Sequence, residues 1–186
     1  DCFMYFDEDL LLDIRLNILN KYVKKFIISE ATYSHNGKEK SLKFNPNNFR
    51  KFKDKITYIV VDDPPPNLLK FEKDDSNDLK SEKLILNGLA RDIYQRESLS
   101  KGLDQLSEED LIIISDLDEI PNLGGIDLDQ INNKLILFKQ KIFFYKLNLY
   151  YEKFEWFGSK ACKKKNFISP QWLRNIKSTK YPKWRI

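Results

Sequence analysis

At 186 residues the chain has the length of one domain and can bury a sizeable core. Charged residues make up 32% of it, but the signs are interspersed and the net charge is +4, which excludes the clustered basic face of a nucleic-acid binder. No apolar run could span a bilayer, no Asn-x-Ser/Thr acceptor occurs, and the isolated Cys2 and Cys162 offer neither a disulfide framework nor zinc spacing.

Cys2 to Phe6 reads as a first short strand. Asp7 is placed to cap a helix whose apolar content is Leu11, Leu12, Ile14, Leu16, Ile18 and Leu19. Tyr22 to Ser29 is a second strand, and Glu30 at its carboxyl end is a candidate substrate contact. A polar loop follows through Gly37. It holds His35, the only histidine, which has no metal-ligating neighbours at useful spacing and reads as an exposed loop residue. Asn48 to Lys55 is a short basic helix, and Ile56 to Val61 is a third strand stopped by Asp62-Asp63 and Pro64-Pro65-Pro66.

From Asp78 to Lys101 the pattern is helical, with Gly102 as its C-terminal cap. Leu86, Leu89, Ile93, Ser100 and Leu103 share one face, and Arg96 lies within roughly 60° of Ile93. An arginine at the edge of a core-facing stripe either snorkels to solvent or meets a carboxylate or phosphate. The second option would turn Arg96 towards the acidic segment that comes next.

That segment is Leu111 to Pro121. Leu111 and three isoleucines form a short strand apolar on both faces, and it ends in Ser115, Asp116, Asp118 and Glu119. Grouped carboxylates at a buried strand end raise one another's energy unless something positive compensates. An acidic turn after a core strand is the bland explanation. A calcium loop fails, because Pro121 stands where its glycine should be. An aspartyl phosphatase of the haloacid dehalogenase type remains as an alternative, although Ile120 replaces its usual Thr or Val. The working reading is that Asp116 and Asp118 hold a hard cation that in turn holds a diphosphate.

Four blocks in this order resemble glycosyltransferase family 17, best known for bisecting N-acetylglucosaminyl transfer. They are Asp1-Cys2-Phe3 with Glu8, Leu12, Arg15 and Leu16; Glu30, Tyr33, Ser34, Gly37, Lys38, Lys40 and Leu42; Gln95-Arg96 and Gly102 with Ile113 to Pro121; and Tyr145, Asn148, Trp156, Gly158 with Ser169 to Asn175. Ala31, Thr32 and Glu39 depart from the pattern. Relatives also continue into a Gly-Trp-His-Phe-Ser segment, which implies that 1–186 is one glycosyltransferase domain truncated at its C-terminus.

The resemblance implies an α/β, GT-A-like nucleotide-sugar fold: a mostly parallel sheet flanked by helices, with a metal-binding Asp-x-Asp at a strand end. It implies an inverting transfer of N-acetylglucosamine from a UDP-sugar to a glycan hydroxyl. Mn2+ or Mg2+ would be held by Asp118 and Asp116. Glu30, Lys40, Arg96 and Asp116 would bind the nucleotide sugar, Glu155 would be the catalytic base, and Trp156 would bind the acceptor. With no signal peptide visible the chain is expected in the cytoplasm, whereas eukaryotic relatives are Golgi-lumenal. A non-catalytic sugar-binding domain is the other competing class.

Overall fold

The computed structural model describes residues 1–128, 130–146 and 148–178. The single domain expected over 1–186 therefore extends, at 179–186, outside the described residues. In chain order the elements are β1 (Cys2–Met4), α1 (Asp9–Leu19), β2 (Phe26–Ala31), a 3-10 segment (Pro46–Lys55), β3 (Ile56–Val61) and α2 (Asn77–Glu97). A 3-10 turn (Ser98–Gly102) leads to β4 (Leu111–Ile114), then β5 (Ile136–Leu137), β6 (Lys160–Lys163) and α3 (Pro170–Asn175).

The strands form one sheet in the order β3-β2-β1-β4-β6-β5. The pairs β3–β2, β2–β1 and β1–β4 are parallel, and β6 runs antiparallel to both β4 and β5. Five of the six strands thus point the same way, as the mostly parallel expectation required. Period-two alternation divides the core between the faces. Phe3, Ile28 and Ile113 pack with Leu12, Leu16 and Leu19 of α1 on one side. Cys2, Ile27, Ile112 and Ile114 pack with Leu99, Leu103 and Leu173 on the other. Both cysteines are buried and unpaired.

Several local expectations are corrected. The N-cap of α1 is Glu8, not Asp7; the Glu8 carboxylate accepts from the backbone amides of Phe6 and Asp7. The α2 helix ends at Glu97 and tightens into a 3-10 turn through Gly102. Gly102 is needed there for a different reason, since a Cβ would sit 2.6 Å from Ile27 Cγ2. Leu86 and Leu89, placed on the core-facing stripe, are exposed. The buried residues of α2 are instead Asn87, Gln95 and Arg96. The partners of this polar face are backbone: Gln95 Nε2 donates to Ser29 O at 3.0 Å, and Asn87 bonds both Leu69 N and Leu69 O. A helix that docks on exposed peptide groups buries amides in preference to leucines.

Candidate active site at the strand carboxyl ends

Four parallel strands bring the segments after β1, β2 and β4 to one edge of the sheet, the usual ligand edge of an open α/β fold. After Ile114 the chain makes a tight turn. The Asp116 amide donates to Glu119 Oε2 at 2.9 Å and the Glu119 amide to Asp116 O at 3.1 Å. Beneath it lies Arg15, fully buried on α1. Its Nη1 donates to the carbonyls of Asp116, Leu117 and Glu119 at 3.0, 3.0 and 3.2 Å. Nε and Nη2 bind the Asp1 carboxylate at 2.9 and 2.8 Å, and Nη2 also reaches Ser115 Oγ. With its carbonyls drawn inward, the turn presents its carboxylates outward. Burial pulls Arg15 down to about 9, against the opposing charges of Glu119, Asp118 and Asp116.

The outward side is gripped by two further arginines. Arg96 Nη2 meets Asp116 Oδ1 at 3.2 Å, while its Nη1 holds Asp92 Oδ2 at 2.6 Å and Gln171 Oε1 at 2.7 Å. Arg174 Nη2 meets Asp116 Oδ2 at 2.7 Å and Glu119 Oε1 at 3.3 Å. Burial alone would raise the Asp116 carboxyl; the Arg174 hydrogen bond and the charges of Arg174 and Arg96 outweigh it and hold Asp116 below its usual range. Arg174 arrives from 58 residues away because α3 starts well. Ser169 caps it by accepting from the Trp172 amide, Pro170 occupies the first turn, and Ser169 Oγ donates to Glu97 Oε1 on α2 at 2.6 Å.

Trp156 Nε1 donates to Glu119 Oε1 at 2.9 Å, which fixes the indole beside the turn. Gly158 leaves this pair its room, since a Cβ there would lie 2.4 Å from Glu119 Cδ and 2.6 Å from Trp156 Nε1 and would force one of those side chains to shift. Lys160, 4% exposed, donates to Arg174 O at 2.5 Å. Burial, helped by Arg174, lowers its ammonium to about 8.

Two clefts meet at this cluster. One, of about 470 Å³, is lined by Tyr5, Phe6, Glu8 and His35 together with Arg96, Asp116 and Asp118. The other, of about 760 Å³, is lined by Phe154, Glu155, Trp156, Lys160 and Arg174 together with Arg96 and Asp116. Asp92, Arg96 and Asp116 border both, so they form a charged partition. The Nε of Arg96 in this partition is buried without a partner.

The structure thus brings Arg96, Asp116, Asp118, Glu155 and Trp156 to one place. Glu155 is exposed and pairs with Lys139. Glu30 and Lys40 line neither cleft and bind each other at 2.5 Å, with Lys40 over the ring of Phe6 at the edge of the smaller one. The remaining Glu30 partners are the amides of Lys43 and Phe44 at 2.7 and 3.0 Å and Tyr58 OH at 2.7 Å. Sequence reasoning named Glu119 among the grouped carboxylates without giving it a role, and missed Arg15, Asp92, Lys160 and Arg174 as site residues. Arg15 and Arg174 stand inside the blocks that carry the family resemblance, and that was the available signal. Nothing local marks Asp92 or Lys160.

Metal binding can be tested against the donor set. Among the described residues no group of three or more His, Cys, Asp or Glu is placed to hold an ion. Asp116 and the exposed Asp118 fit a hard divalent cation only if a ligand's oxygens and water complete its shell.

An open, mostly parallel sheet with a concave, charged site at its strand ends defines a ligand-handling α/β protein. The chain belongs to glycosyltransferase family 17, whose model matches residues 1–168. Over 120 residues, 62% of this chain, it is 27% identical to the Beta-1,4-mannosyl-glycoprotein 4-beta-N-acetylglucosaminyltransferase of Homo sapiens, and equally to the Rattus norvegicus protein of that name. The match spans 20% of the length of each of these relatives. No solved structure matches. Among the described residues no helix is long and apolar enough to cross a membrane.

Proposed function

We propose that this chain carries the nucleotide-sugar site of a GT-A-like, inverting glycosyltransferase that moves a sugar, N-acetylglucosamine by analogy with the names of its relatives, from a UDP-sugar to a glycan hydroxyl. The observation that carries the reading is the pair of clefts sharing the Asp92–Arg96–Asp116 partition. The donor nucleotide takes the cleft with Asp118, the acceptor takes the cleft with Trp156, and the diphosphate lies at the border. Mn2+ or Mg2+ held by Asp118 and Asp116 would neutralise charge on the leaving diphosphate.

The protein's own groups do the rest. Arg96 and Arg174 supply charge-assisted hydrogen bonds to phosphate, the buried Nε of Arg96 being a donor in need of an acceptor. Asp92 and Asp116 are already held by guanidiniums. Glu155 lines the acceptor cleft, and its partner is the exposed ammonium of Lys139 in place of a buried guanidinium, so it is the carboxylate assigned to take the hydroxyl proton. Trp156 offers a fixed indole for the acceptor sugar. Glu30 and Lys40 act at one remove, by latching the loop that carries His35 to the donor cleft.

A donor screen measuring UDP release from several UDP-sugars, with and without Mn2+, tests this. Metal-dependent release from one UDP-sugar is expected, and Asp118→Asn should abolish metal-dependent UDP binding in calorimetry while leaving the thermal transition in place. Unchanged affinity in that variant would overturn the metal assignment. Phosphate release from simple monoesters without UDP release would overturn the transferase reading.

A further inference from the structure

Between β5 and β6 the chain leaves the sheet as an antiparallel arm. Gln140 bridges Trp156 at its base and Phe143 bridges Tyr150 nearer the tip. The Tyr151 amide donates to Ile142 O and the Phe144 amide to Leu149 O, so the arm has the backbone of a hairpin. The return strand has more residues between the two bridges than the outgoing one, so it carries an irregularity there.

The arm holds its rings in the open. Phe143 and Tyr150 pair on one face with centroids 5.5 Å apart, and Phe144 and Tyr151 on the other at 5.4 Å. All four are 40–47% exposed, and Tyr145 at the tip is fully exposed with a left-handed φ of 61°. Rings that stay this exposed on both faces of an arm gain little core burial, and clustered exposed aromatic surface of this kind marks a binding surface. The arm's return strand leads back along the chain to the bridge at Trp156. Phe154 lies 6.1 Å from Trp156, and both line the larger cleft.

We propose that the arm is an oligosaccharide-binding platform, continuous with the acceptor cleft, that stacks sugar units beyond the one that reacts. The proposal rests on the assignment of that cleft to the acceptor. A pyranose ring presents C–H bonds along its face, and these meet the electron-rich face of an aromatic ring, while phenol hydroxyls reach the sugar's own hydroxyls. Continuity with Trp156 favours a chain that leaves the cleft over a separate partner. Charge points the same way. Lys139 is paired with Glu155 and Lys141 lies over the Tyr150 ring at 5.5 Å, so part of the arm's positive charge is taken up internally instead of facing an anionic surface.

The test uses the whole chain and two double variants, Phe143→Ser with Tyr150→Ser and Phe144→Ser with Tyr151→Ser. The probes are mannose oligosaccharides and chitin oligosaccharides of one to five units, titrated without donor. Affinity for the wild type should rise about tenfold from the single sugar to the longest chain in one series, the scale of one or two stacked rings. At least one double variant should lose that rise and keep its affinity for the single sugar. Affinity independent of length in both series, or a rise that survives in both variants, would overturn the platform. So would cosedimentation with phosphatidylcholine–phosphatidylserine vesicles that the variants lose while neither oligosaccharide series binds. Because no donor is present, length-dependent binding without UDP release would leave the platform standing and remove only the transferase reading.

Discussion

The acidic turn after β4 is held from two sides by arginines of opposite character. Underneath, Arg15 is fully buried and every N–H group it has finds an acceptor, half of them backbone carbonyls. On the outer side Arg96 and Arg174 hold side-chain carboxylates at the border of two clefts, and Arg96 leaves its Nε unpaired. A saturated guanidinium is a fixture of the fold, whereas a partly satisfied one beside a cleft retains bonding capacity for a ligand. The comparison predicts that the two sides fail differently when broken.

The largest effect is expected underneath. Arg15→Met strands the buried Asp1 carboxylate and three carbonyls, and should destabilise the fold by about 3–5 kcal/mol, the scale for removing one member of a buried pair. Urea unfolding measures it. A loss below about 1 kcal/mol would mean that the turn holds its shape without the clamp.

On the outer side the loss should fall on binding. Arg96→Met keeps much of the packing of the stem, and Asp116 still has Arg174. UDP binding should weaken by about 1.5–3 kcal/mol, the scale of a hydrogen bond to a charged group, with a smaller change in stability than for Arg15→Met. Calorimetry with UDP and Mn2+, beside urea unfolding, decides it. Normal UDP affinity with a large stability loss would make Arg96 a second structural clamp.

The smallest effect sharpens the outer side through pH. The folded value of Lys160 is about 8, below its ordinary 10.5. Between those values the unfolded chain keeps a proton that the folded chain has released, so stability rises with pH across that window and the penalty is complete below about 8. Stability of the wild type relative to Lys160→Met should therefore improve from pH 8 towards pH 10. A flat difference would mean that Lys160 stays charged in the fold.

Much of the scaffold was legible because strands buried on both faces leave unmistakable apolar runs. Ile112 to Ile114 and Phe26 to Ile28 are buried strand residues, Ile56 to Val61 is a half-buried strand at the sheet edge, and the acidic residues stand at the end of the expected strand. The second strand runs Phe26–Ala31 instead of Tyr22 to Ser29, so Glu30 lies inside it. Spacing could not show that α2 turns Asn87 and Gln95 inward, because their partners are peptide groups of Leu69 and Ser29. Nor could it show that Glu30 meets Lys40, Tyr58 and two amides, which takes up both its oxygens.

By itself, then, the sequence determined the mostly parallel α/β class, the position of Asp116 and Asp118 at a strand end, and membership of a family legible in four blocks. These follow from local periodicity and from residues close together in the chain. Only the tertiary structure decided that Arg15 lies under the acidic turn, that Arg174 completes its outer side, and that Trp156 borders the same cleft as Arg96. Those contacts join residues between 55 and 104 positions apart for the two arginines. They arise because parallel strands collect their carboxyl ends on one edge, and the long crossovers between them carry distant side chains to the same few carboxylates.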